Sequence, residues 1–534
     1  MSATPKIGVI GGGPSAVCLL DALAHQQDLP AGNLTIFDGG RRLWRGRPYQ
    51  PDLGTMRVNA IPQDMSVRAG DDGHLAEWLA ARRLFVDTET SFLDPISGAP
   101  FIPRAMFGEY LEQSASAALV TLAERGWRVE LNRRMVHRAT STRHGLALRT
   151  ADGEDHEVDY AVLATGAGRP ADLYGLAGSA GFVRDPYPAA ETLATIRRDD
   201  DLAVVGSGLT GVDVALALAA RGHTGRIRMH SRQAVLPAVR QRPAGFTPRH
   251  VTAARFRAMA ASGGSLPLAD LIAMIGDELA AAGEDIDAVR TEIDAARREE
   301  PTHRLRRQLG EVNAASGTLR LLQQIMPDVG PDVWPLLSEH DKDRLLADHN
   351  RAFMSLCCPM PPASAAALLR LLESGQLELI GGLERIEPGD GGFVASTARG
   401  EHRAAVVVNA VNGRLGGVTD LAAPMLASLV DAGLAEPHPR GGFHLERATS
   451  RLTVDARPDR RLYALGDLAM GSLFFTFGIQ SLVDRAVDIV TSIQGDIAHR
   501  ARRILRAEPP YVPRSVREHL SSRPSSTRRH GSPL

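Results

Sequence analysis

Two glycine-rich turns in this chain have the residue types and spacing that bind phosphate groups. The first, Gly11-Gly12-Gly13-Pro14-Ser15-Ala16, follows the apolar run Lys6–Ile10 and opens a helical pattern. Gly11 permits a tight turn, Gly13 lets a pyrophosphate approach the backbone, and the small Ala16 lets the helix pack closely on the strand. Because the amide groups of a helix N-terminus attract anions, the pattern predicts a dinucleotide site. Asp38 ends the next predicted strand, where it is expected to hold a ribose hydroxyl.

The second turn, Gly206-Ser207-Gly208-Leu209-Thr210-Gly211, follows the apolar run Leu202–Val205. Two complete fingerprints are much more specific than one and predict two dinucleotides. The strand after this turn ends at Ser231-Arg232, where the first half of the chain has Asp38. A guanidinium can hold a 2′-phosphate that a carboxylate would repel, so Arg232 predicts NADPH rather than NADH. The alternative is that Arg232 is a solvated surface arginine.

Four further segments are expected beside the first dinucleotide. The irregular stretch from Trp44 to Ser66 is too long for an ordinary connection and is interpreted as a loop that wraps the cofactor. Two apolar strands end in small residues or an acid and are expected to return to the first turn. A helix after Gly478 presents its N-terminus to the same site. The residues expected to contact cofactors are Gly11, Gly13, Pro14, Ser15, Ala16, Asp38, Asn59, Met65, Thr165, Gly166, Asp467 and Gly478 in the first site, and Gly206, Gly208, Thr210, Gly211, Ser231 and Arg232 in the second.

Composition narrows the class of protein. The 534 residues carry a formal net charge of -1 and are 44% hydrophobic, as expected for a globular chain of several domains without a nucleic-acid partner. No apolar run approaches the roughly 18 residues that span a bilayer, so we expect a cytoplasmic protein. The cysteines are Cys18 and the adjacent pair Cys357 and Cys358, without a C-x-x-C motif. That pattern disfavours a disulfide reductase and indicates buried thiols. No metal site is predicted.

The order of the predicted elements indicates an α/β fold with two Rossmann-like dinucleotide-binding domains and an inserted helical subdomain. Residues 1–200 and 414–505 are assigned to the first domain, and residues 201–250 and 350–413 to the second. Residues 251–349 lack a strand pattern and are assigned to the helical insertion, which is expected to contribute to the substrate site. Residues 127–148 are predicted to form a small antiparallel layer. The Arg-, Ser- and Pro-rich residues 512–534 are predicted to be disordered.

These motifs resemble those of the two-dinucleotide flavoproteins over about residues 5–500. Within that superfamily, Gly46-Arg47-Pro48-Tyr49, Val58-Asn59, Met65-Ser66 and the run from Pro103 to Leu111 are similar to a bacterial branch of FAD/NAD(P)-binding proteins. That branch includes the L-aspartate N-monooxygenases, which form nitrosuccinate in natural product biosynthesis. The resemblance implies FAD on the first turn and NADPH on the second.

The resemblance also implies a reaction. The F-x-G-x-x-x-H-x-x-x-F/W signature of Baeyer–Villiger monooxygenases is absent between the two turns, which favours N-hydroxylation. NADPH would reduce FAD, O₂ would add at flavin C4a, and a neutral amine would attack the hydroperoxide, so no catalytic side chain is expected. Aspartate oxidised to nitrosuccinate is the leading hypothesis. The alternatives are hydroxylation of an ornithine- or lysine-like amine, an NADPH-dependent flavin reductase with a protein acceptor, and a non-catalytic flavin-binding protein.

An aspartate site needs cations for two carboxylates and none beside the amine. Arginine grips a carboxylate with a planar fork and stays charged when desolvated. Arg440 lies between proline and glycine in Pro437–Gly442 and is the first candidate, paired with Arg290 or Arg304 from the insertion and with the Ser66 hydroxyl. The competing interpretation is that these arginines are solvated.

Overall fold

The computed structural model describes residues 4–82, 92–166, 168–243, 246–314, 317–411, 423–476 and 478–507. The tail predicted to be disordered, 512–534, lies outside these residues. Within them, no helix combines the length and the apolar character that crossing a membrane requires.

The described residues form strands and helices in mixed order. The strands are β1 (Lys6–Ile10), β2 (Asn33–Phe37), β3 (Arg128–Asn132), β4 (Val136–Ser141), β5 (Leu146–Thr150), β6 (Asp155–Val158), β7 (Tyr160–Leu163), β8 (Phe182–Val183), β9 (Leu202–Val205), β10 (Ile227–His230), β11 (Leu377–Ile380), β12 (Leu383–Gly389), β13 (Gly392–Thr397), β14 (Gly400–Ala404), β15 (Val406–Asn409), β16 (Arg451–Val454) and β17 (Arg457–Ala464). The helices are α1 (Pro14–His25), α2 (His74–Ala81), α3 (Arg104–Glu124), α4 (Ala189–Thr192), α5 (Leu209–Ala220), α6 (Ala253–Ala261), α7 (Leu268–Ala281), α8 (Ile286–Arg298), α9 (Pro301–Glu311), α10 (Thr318–Val333), α11 (Glu339–Arg344), α12 (Asn350–Cys357), α13 (Pro362–Glu373), α14 (Ala423–Asp431), α15 (Met470–Leu473) and α16 (Ile479–Ala507).

The first domain is built on a sheet with the strand order β16-β17-β7-β1-β2-β3. β7 is buried along its whole length and lies between β1 and β17, all parallel, as its continuous apolar run predicts. Helices α1, α3 and α16 contribute to the core on one face, and the antiparallel layer β4-β5-β6 contributes to the core on the other. One prediction is wrong: β3 does not join that layer but pairs parallel with β2. β3 is a largely exposed edge strand, and an edge strand can show the same alternation.

The second domain is built on a parallel sheet with the order β11-β10-β9-β15-β8. β9 and β15 are its buried centre, and α5 follows β9 as the helix of the second glycine turn. The antiparallel layer β12-β13-β14 packs against this sheet. The sheet also includes β8, which pairs with β15, so this domain takes in residues before the expected boundary at 200. A strand of two residues carries too little pattern to be found from sequence.

Helices α6 to α11 lie within the predicted insertion, and α6, α7 and α10 share an apolar core. Helix α9 instead contributes Leu305 to the core of the second domain. The Trp334 ring stacks on Phe474 of the first domain with centroids 4.5 Å apart, and its indole N–H donates to the Gly471 carbonyl oxygen at 3.1 Å. Arg447 of the first domain pairs with the buried carboxylate of Asp332 in α10, and Arg257 of α6 pairs with Asp484 of α16 at 3.2 Å. These contacts fix the insertion against the first domain. The predicted fold class, two Rossmann-like domains with a helical insertion, is confirmed.

Candidate functional site

The first glycine turn joins β1 to α1 with the geometry that a pyrophosphate requires. Gly11 has φ +108°, and a Cβ there would lie 2.3 Å from the Ala164 carbonyl oxygen. A Cβ on Gly13, in contrast, would meet no obstruction, because the nearest atom is the Gly46 Cα at 3.7 Å. Pro14 occupies the first turn of α1, and no side chain caps the helix N-terminus. The first-turn amide groups are therefore oriented for an anion.

The wrapping loop closes over this turn. The Trp44 amide donates to the Gly12 carbonyl oxygen at 2.6 Å, and Gly46, at φ +58°, packs against the Pro14 ring. Ser15 and Ala16 are buried on α1, and Met65 is buried in the core of the first domain. The Asn59 carbonyl oxygen accepts a hydrogen bond from Arg240 Nε at 3.1 Å. The loop is thus anchored to the turn at one end and to the second domain at the other.

The other residues predicted at the first site gather at the same edge of the sheet. Asp38 ends β2, and its two carboxylate oxygens accept from the Gly12 and Gly40 amides at 2.6 Å. Thr165 follows β7, and its buried hydroxyl has no hydrogen-bond partner among the described residues. A Cβ on Gly166 would lie 3.8 Å from Asp467 Oδ2. A Cβ on Gly478, the residue before α16, would have no atom within 4 Å. The open cradle and the unpartnered hydroxyl fit a dinucleotide at this edge.

The second glycine turn repeats the geometry between β9 and α5. Gly206 has φ +112°, and a Cβ on Gly211 would lie 2.4 Å from the Gly206 carbonyl oxygen. The Cβ position of Gly208 is open, with nothing within 4 Å. No side chain caps α5, and Thr210 is buried in its first turn. This cradle also fits a dinucleotide.

Two arginines stand beside the second cradle. Ser231 ends β10, and its hydroxyl accepts from Ser207 at 3.0 Å. Arg232 is exposed next to it. Arg351 from α12 donates to the Val235 carbonyl oxygen at 3.1 Å and to the Ser207 hydroxyl at 3.4 Å. Burial lowers the pKa of Arg351, and the nearby charge of Arg232 lowers it further. Neither arginine pairs with a carboxylate within the part of the chain that the structure describes. Two unpaired cations beside two hydroxyls form a site for an anion such as a 2′-phosphate.

Arg351 was missed by the sequence interpretation. It lies on α12, within the stretch 350–413 that the sequence assigns to the second domain, far along the chain from the glycine turn. No local motif marks it.

The carboxylates of Asp64, Asp72, Asp328 and Asp484, from the loop, the insertion and α16, interact electrostatically, and we refer to this group of residues as the acidic cleft. Burial raises the pKa of both Asp64 and Asp328. Burial and the neighbouring charges of Asp64, Asp484 and Asp72 raise the pKa of Asp328 to about 7. Two cations lie beside these carboxylates. Arg257 pairs with Asp484 at 3.2 Å, and Arg240 is attracted by Asp64 while burial lowers its pKa.

The four residues predicted to bind substrate are not brought together. Arg290 is exposed on α8 and pairs with Asp287 at 2.5 Å. Arg304 is 4% exposed; its guanidinium donates to the Leu236 carbonyl oxygen and the Ser355 hydroxyl, and burial lowers its pKa to about 10. The Ser66 hydroxyl is buried and donates to the Asp71 carbonyl oxygen at 2.6 Å.

Arg440 forms an ionic link between the first domain and the insertion. Its guanidinium pairs with Glu339 and, at 2.6 Å, with Asp343, both exposed residues of α11. An anionic substrate at Arg440 would have to compete with these two carboxylates.

Comparison with known proteins agrees with this geometry. Residues 8–168 match the protein-family model described as "FAD-NAD(P)-binding". A search of curated protein sequences finds no match to the chain. The first domain is therefore of the FAD/NAD(P)-binding type, as the glycine turn predicts.

Solved structures resemble nearly the whole chain. The reduced ornithine hydroxylase from Pseudomonas aeruginosa is 15% identical with a TM-score of 0.55, covering 92% of this chain and 99% of that one. The ornithine N-hydroxylase from Kutzneria sp. 744, solved with reduced FAD, NADP⁺ and L-ornithine, is 13% identical with a TM-score of 0.54, covering 92% and 99%. The FAD-bound cadaverine monooxygenase from Erwinia amylovora is 12% identical with a TM-score of 0.54, covering 92% and 95%. At these identities the likeness establishes the fold.

Proposed function

We propose that this chain is an FAD- and NADPH-dependent N-hydroxylating monooxygenase acting on a small amine. The observation that carries the proposal is the pair of open cradles, at Gly13 and at Gly208, each at an uncapped helix N-terminus. The structural neighbours support it, because the ornithine hydroxylases and the cadaverine monooxygenase share this arrangement of domains.

The chain's own residues bind and orient the two cofactors. Gly13 and the first turn of α1 hold the FAD pyrophosphate, and Asp38 is placed for the ribose. Gly208 and α5 hold the pyrophosphate of NADPH, while Arg232 and Arg351 select its 2′-phosphate. When bound, the two cofactors supply hydride transfer and the activation of O₂. The protein supplies their relative position and a site for the amine.

The amine must lose its proton before its nitrogen can act as a nucleophile. A carboxylate whose pKa lies near neutrality is suited to accept that proton. Asp328 meets this condition because burial and neighbouring acids raise its pKa to about 7.

Two substrate classes are in competition. The resemblance in the wrapping loop favours aspartate. Arg240 could bind its carboxylates at the cleft, whereas Arg257 already pairs with Asp484 and Arg440 would first have to leave Glu339 and Asp343 of α11. The acidic cleft favours a basic amine of the ornithine, lysine or cadaverine type, because Asp64 and Asp328 would attract a second ammonium group and repel a second carboxylate.

One assay separates the functions. The purified yellow protein is given NADPH with each of aspartate, ornithine, lysine and cadaverine, and NADPH oxidation, O₂ uptake and hydroxylamine formation are followed together. We expect hydroxylamine with at least one amine. Electron transfer to a protein acceptor without an amine would support the flavin reductase instead, and no NADPH oxidation would support a non-catalytic protein.

Charge variants separate the substrate classes. Asp64→Asn is expected to raise the KM of a basic amine, whereas Arg240→Gln is expected to raise the KM of aspartate. Asp152→Asn removes an exposed acid of the first domain that pairs with Arg134, away from the cleft, and serves as the matched control. A basic-amine KM that does not change in Asp64→Asn would remove the acidic cleft as an argument for that class.

A further inference from the structure

Three side chains from separate parts of the chain meet at the boundary between the two domains. Arg104 begins α3 of the first domain, Tyr187 follows β8, and Asp213 lies on α5 of the second domain. Arg104 Nη1 lies 2.7 Å from Asp213 Oδ2 and donates to the Tyr187 hydroxyl at 2.8 Å. The Tyr187 hydroxyl donates in turn to Asp213 Oδ2 at 2.5 Å. We call these three residues the boundary cluster.

The boundary cluster is buried. The side chains of Arg104 and Asp213 are 12% and 10% exposed. Burial alone would lower the pKa of Arg104, but the attraction of Asp213 and Tyr187 outweighs it, so the guanidinium stays charged. Desolvation offsets most of the attraction within a buried ion pair, so such a pair is a weak source of stability. A buried ion pair does, however, hold its two partners in one geometry, because displacing one partner leaves the other charge buried and unpaired.

The cluster connects to both cradles. Asp213 lies one turn into α5, whose N-terminus is the second cradle. On the other side, Arg104 Nε donates to the Arg57 carbonyl oxygen at 3.1 Å, in the loop that wraps the first cradle. Arg47 of the same loop lies over the Tyr187 ring, 5.0 Å from its centroid, and pairs with Asp185 at 2.8 Å. Gly46, the residue before it, packs on Pro14 of the first cradle.

We infer that Arg104, Tyr187 and Asp213 are positioning residues that fix the approach of the second dinucleotide to the first. The inference rests on the proposed function only in requiring both dinucleotides. The Tyr187 hydroxyl also interacts with Thr210 in the first turn of α5, whereas the Asp213 carboxylate faces Arg104. Removing the Asp213 charge should therefore change the rate at which the bound cofactors react and not their affinities. Misplacing reacting groups by about 1 Å can slow a reaction by about 100-fold.

The test compares two acid-to-amide variants within the second domain. Asp213→Asn removes the charge that faces Arg104. Glu378→Gln is the matched control, because Glu378 pairs with Arg228 at 3.3 Å between neighbouring strands of the second sheet. For each holoprotein, NADP⁺ affinity is measured by titration, flavin reduction by NADPH is followed anaerobically, and hydrogen exchange is measured over residues 184–189. Reduction by dithionite serves as a reference that does not depend on NADPH.

For Asp213→Asn we expect NADPH-driven reduction to slow by about 10- to 100-fold, with NADP⁺ affinity and dithionite reduction close to wild type. Exchange at residues 184–189 should become faster. Glu378→Gln should change none of these. Tyr187→Phe keeps the Arg104–Asp213 ion pair and removes the hydrogen bonds that the Tyr187 hydroxyl makes with both residues; it should show the same pattern more weakly and replaces Asp213→Asn if that variant does not fold.

A wild-type reduction rate in Asp213→Asn, or an equal loss in Glu378→Gln, would overturn the positioning role. A parallel loss of NADP⁺ affinity would also overturn it, since the cluster would then act on binding. Failure of the proposed function is distinct: the wild-type protein would be reduced by NADPH but would hydroxylate no amine.

Discussion

Alanine at Gly13 of the first cradle or at Gly208 of the second should weaken cofactor binding without destabilising the protein. Gly13 has φ -97° and ψ -165°, a conformation that any residue adopts, and its Cβ position is 3.7 Å from the nearest atom. Gly208 has φ -83° and no atom within 4 Å. An added methyl group therefore meets no protein atom. Because alanine restricts the unfolded chain, the apoprotein should be as stable as wild type or more stable by about 0.4–1 kcal/mol.

The same methyl group occupies the position where a pyrophosphate meets the backbone. We expect affinity to fall by at least about tenfold, or about 1.4 kcal/mol. Gly11→Ala is the contrasting control, because its φ is +108° and its Cβ would lie 2.3 Å from the Ala164 carbonyl oxygen. Left-handed strain of about 1–2 kcal/mol and overpacking of about 1–3 kcal/mol together predict a loss of about 2–5 kcal/mol in the free energy of unfolding.

The assay is FAD content by absorbance, NADP⁺ affinity by titration, and denaturant unfolding of each apoprotein. Gly13→Ala should be stable and colourless. Gly208→Ala should be stable and yellow but should bind NADP⁺ weakly. Gly11→Ala should be destabilised. Wild-type FAD affinity in Gly13→Ala would refute the placement of the pyrophosphate at the first cradle.

Three further predictions concern charged residues. Arg232→Ala and Arg351→Ala should each raise the KM for NADPH by about tenfold or more, since a charge-assisted contact contributes about 1.5–3 kcal/mol; the KM for NADH should not change, and an equal loss for both nucleotides would contradict the 2′-phosphate site. The Asp328 carboxyl has its pKa raised from 3.8 to about 7, so the native state holds a proton that the unfolded chain releases, and the contribution of this group to stability falls as pH rises through that interval. Asp328→Asn should flatten this dependence in unfolding experiments, and an unchanged pH profile would refute the shift. Arg440→Ala should lower stability by at most about 1 kcal/mol, because both its partners are exposed, and should leave the KM for aspartate unchanged; a rise of about tenfold would instead place Arg440 at the substrate.

The sequence was sufficient for the cofactor cradles because each lies within a short local motif. The positions of Gly11 and Gly13 follow from the local strand, glycine turn and helix alone. The buried apolar runs of β7 and β9 likewise identify central parallel strands from composition alone. The edge strand β3 could not be assigned to its sheet, because exposed alternation fits an antiparallel layer equally well.

The charged side chains could not be placed from sequence, because their partners are distant along the chain. Nothing near Arg440 indicates that Glu339 and Asp343 of α11 engage it. The proximity of Arg351 to Arg232, and of Asp328 to Asp64, arises only when distant parts of the chain pack together. An arginine's isolation in a Pro- and Gly-flanked loop is therefore a weak sign that it binds substrate.

The central claim, N-hydroxylation of an amine by two bound cofactors, is tested most directly by isotope labelling. The holoprotein is supplied with NADPH, the amine that best stimulates O₂ uptake, and ¹⁸O₂, and the product is examined by mass spectrometry. One oxygen atom of O₂ should appear on the amine nitrogen and the other in water, with NADPH supplying two electrons. Consumption of NADPH and ¹⁸O₂ that yields labelled hydrogen peroxide and no labelled hydroxylamine, with every amine tested, would contradict the claim.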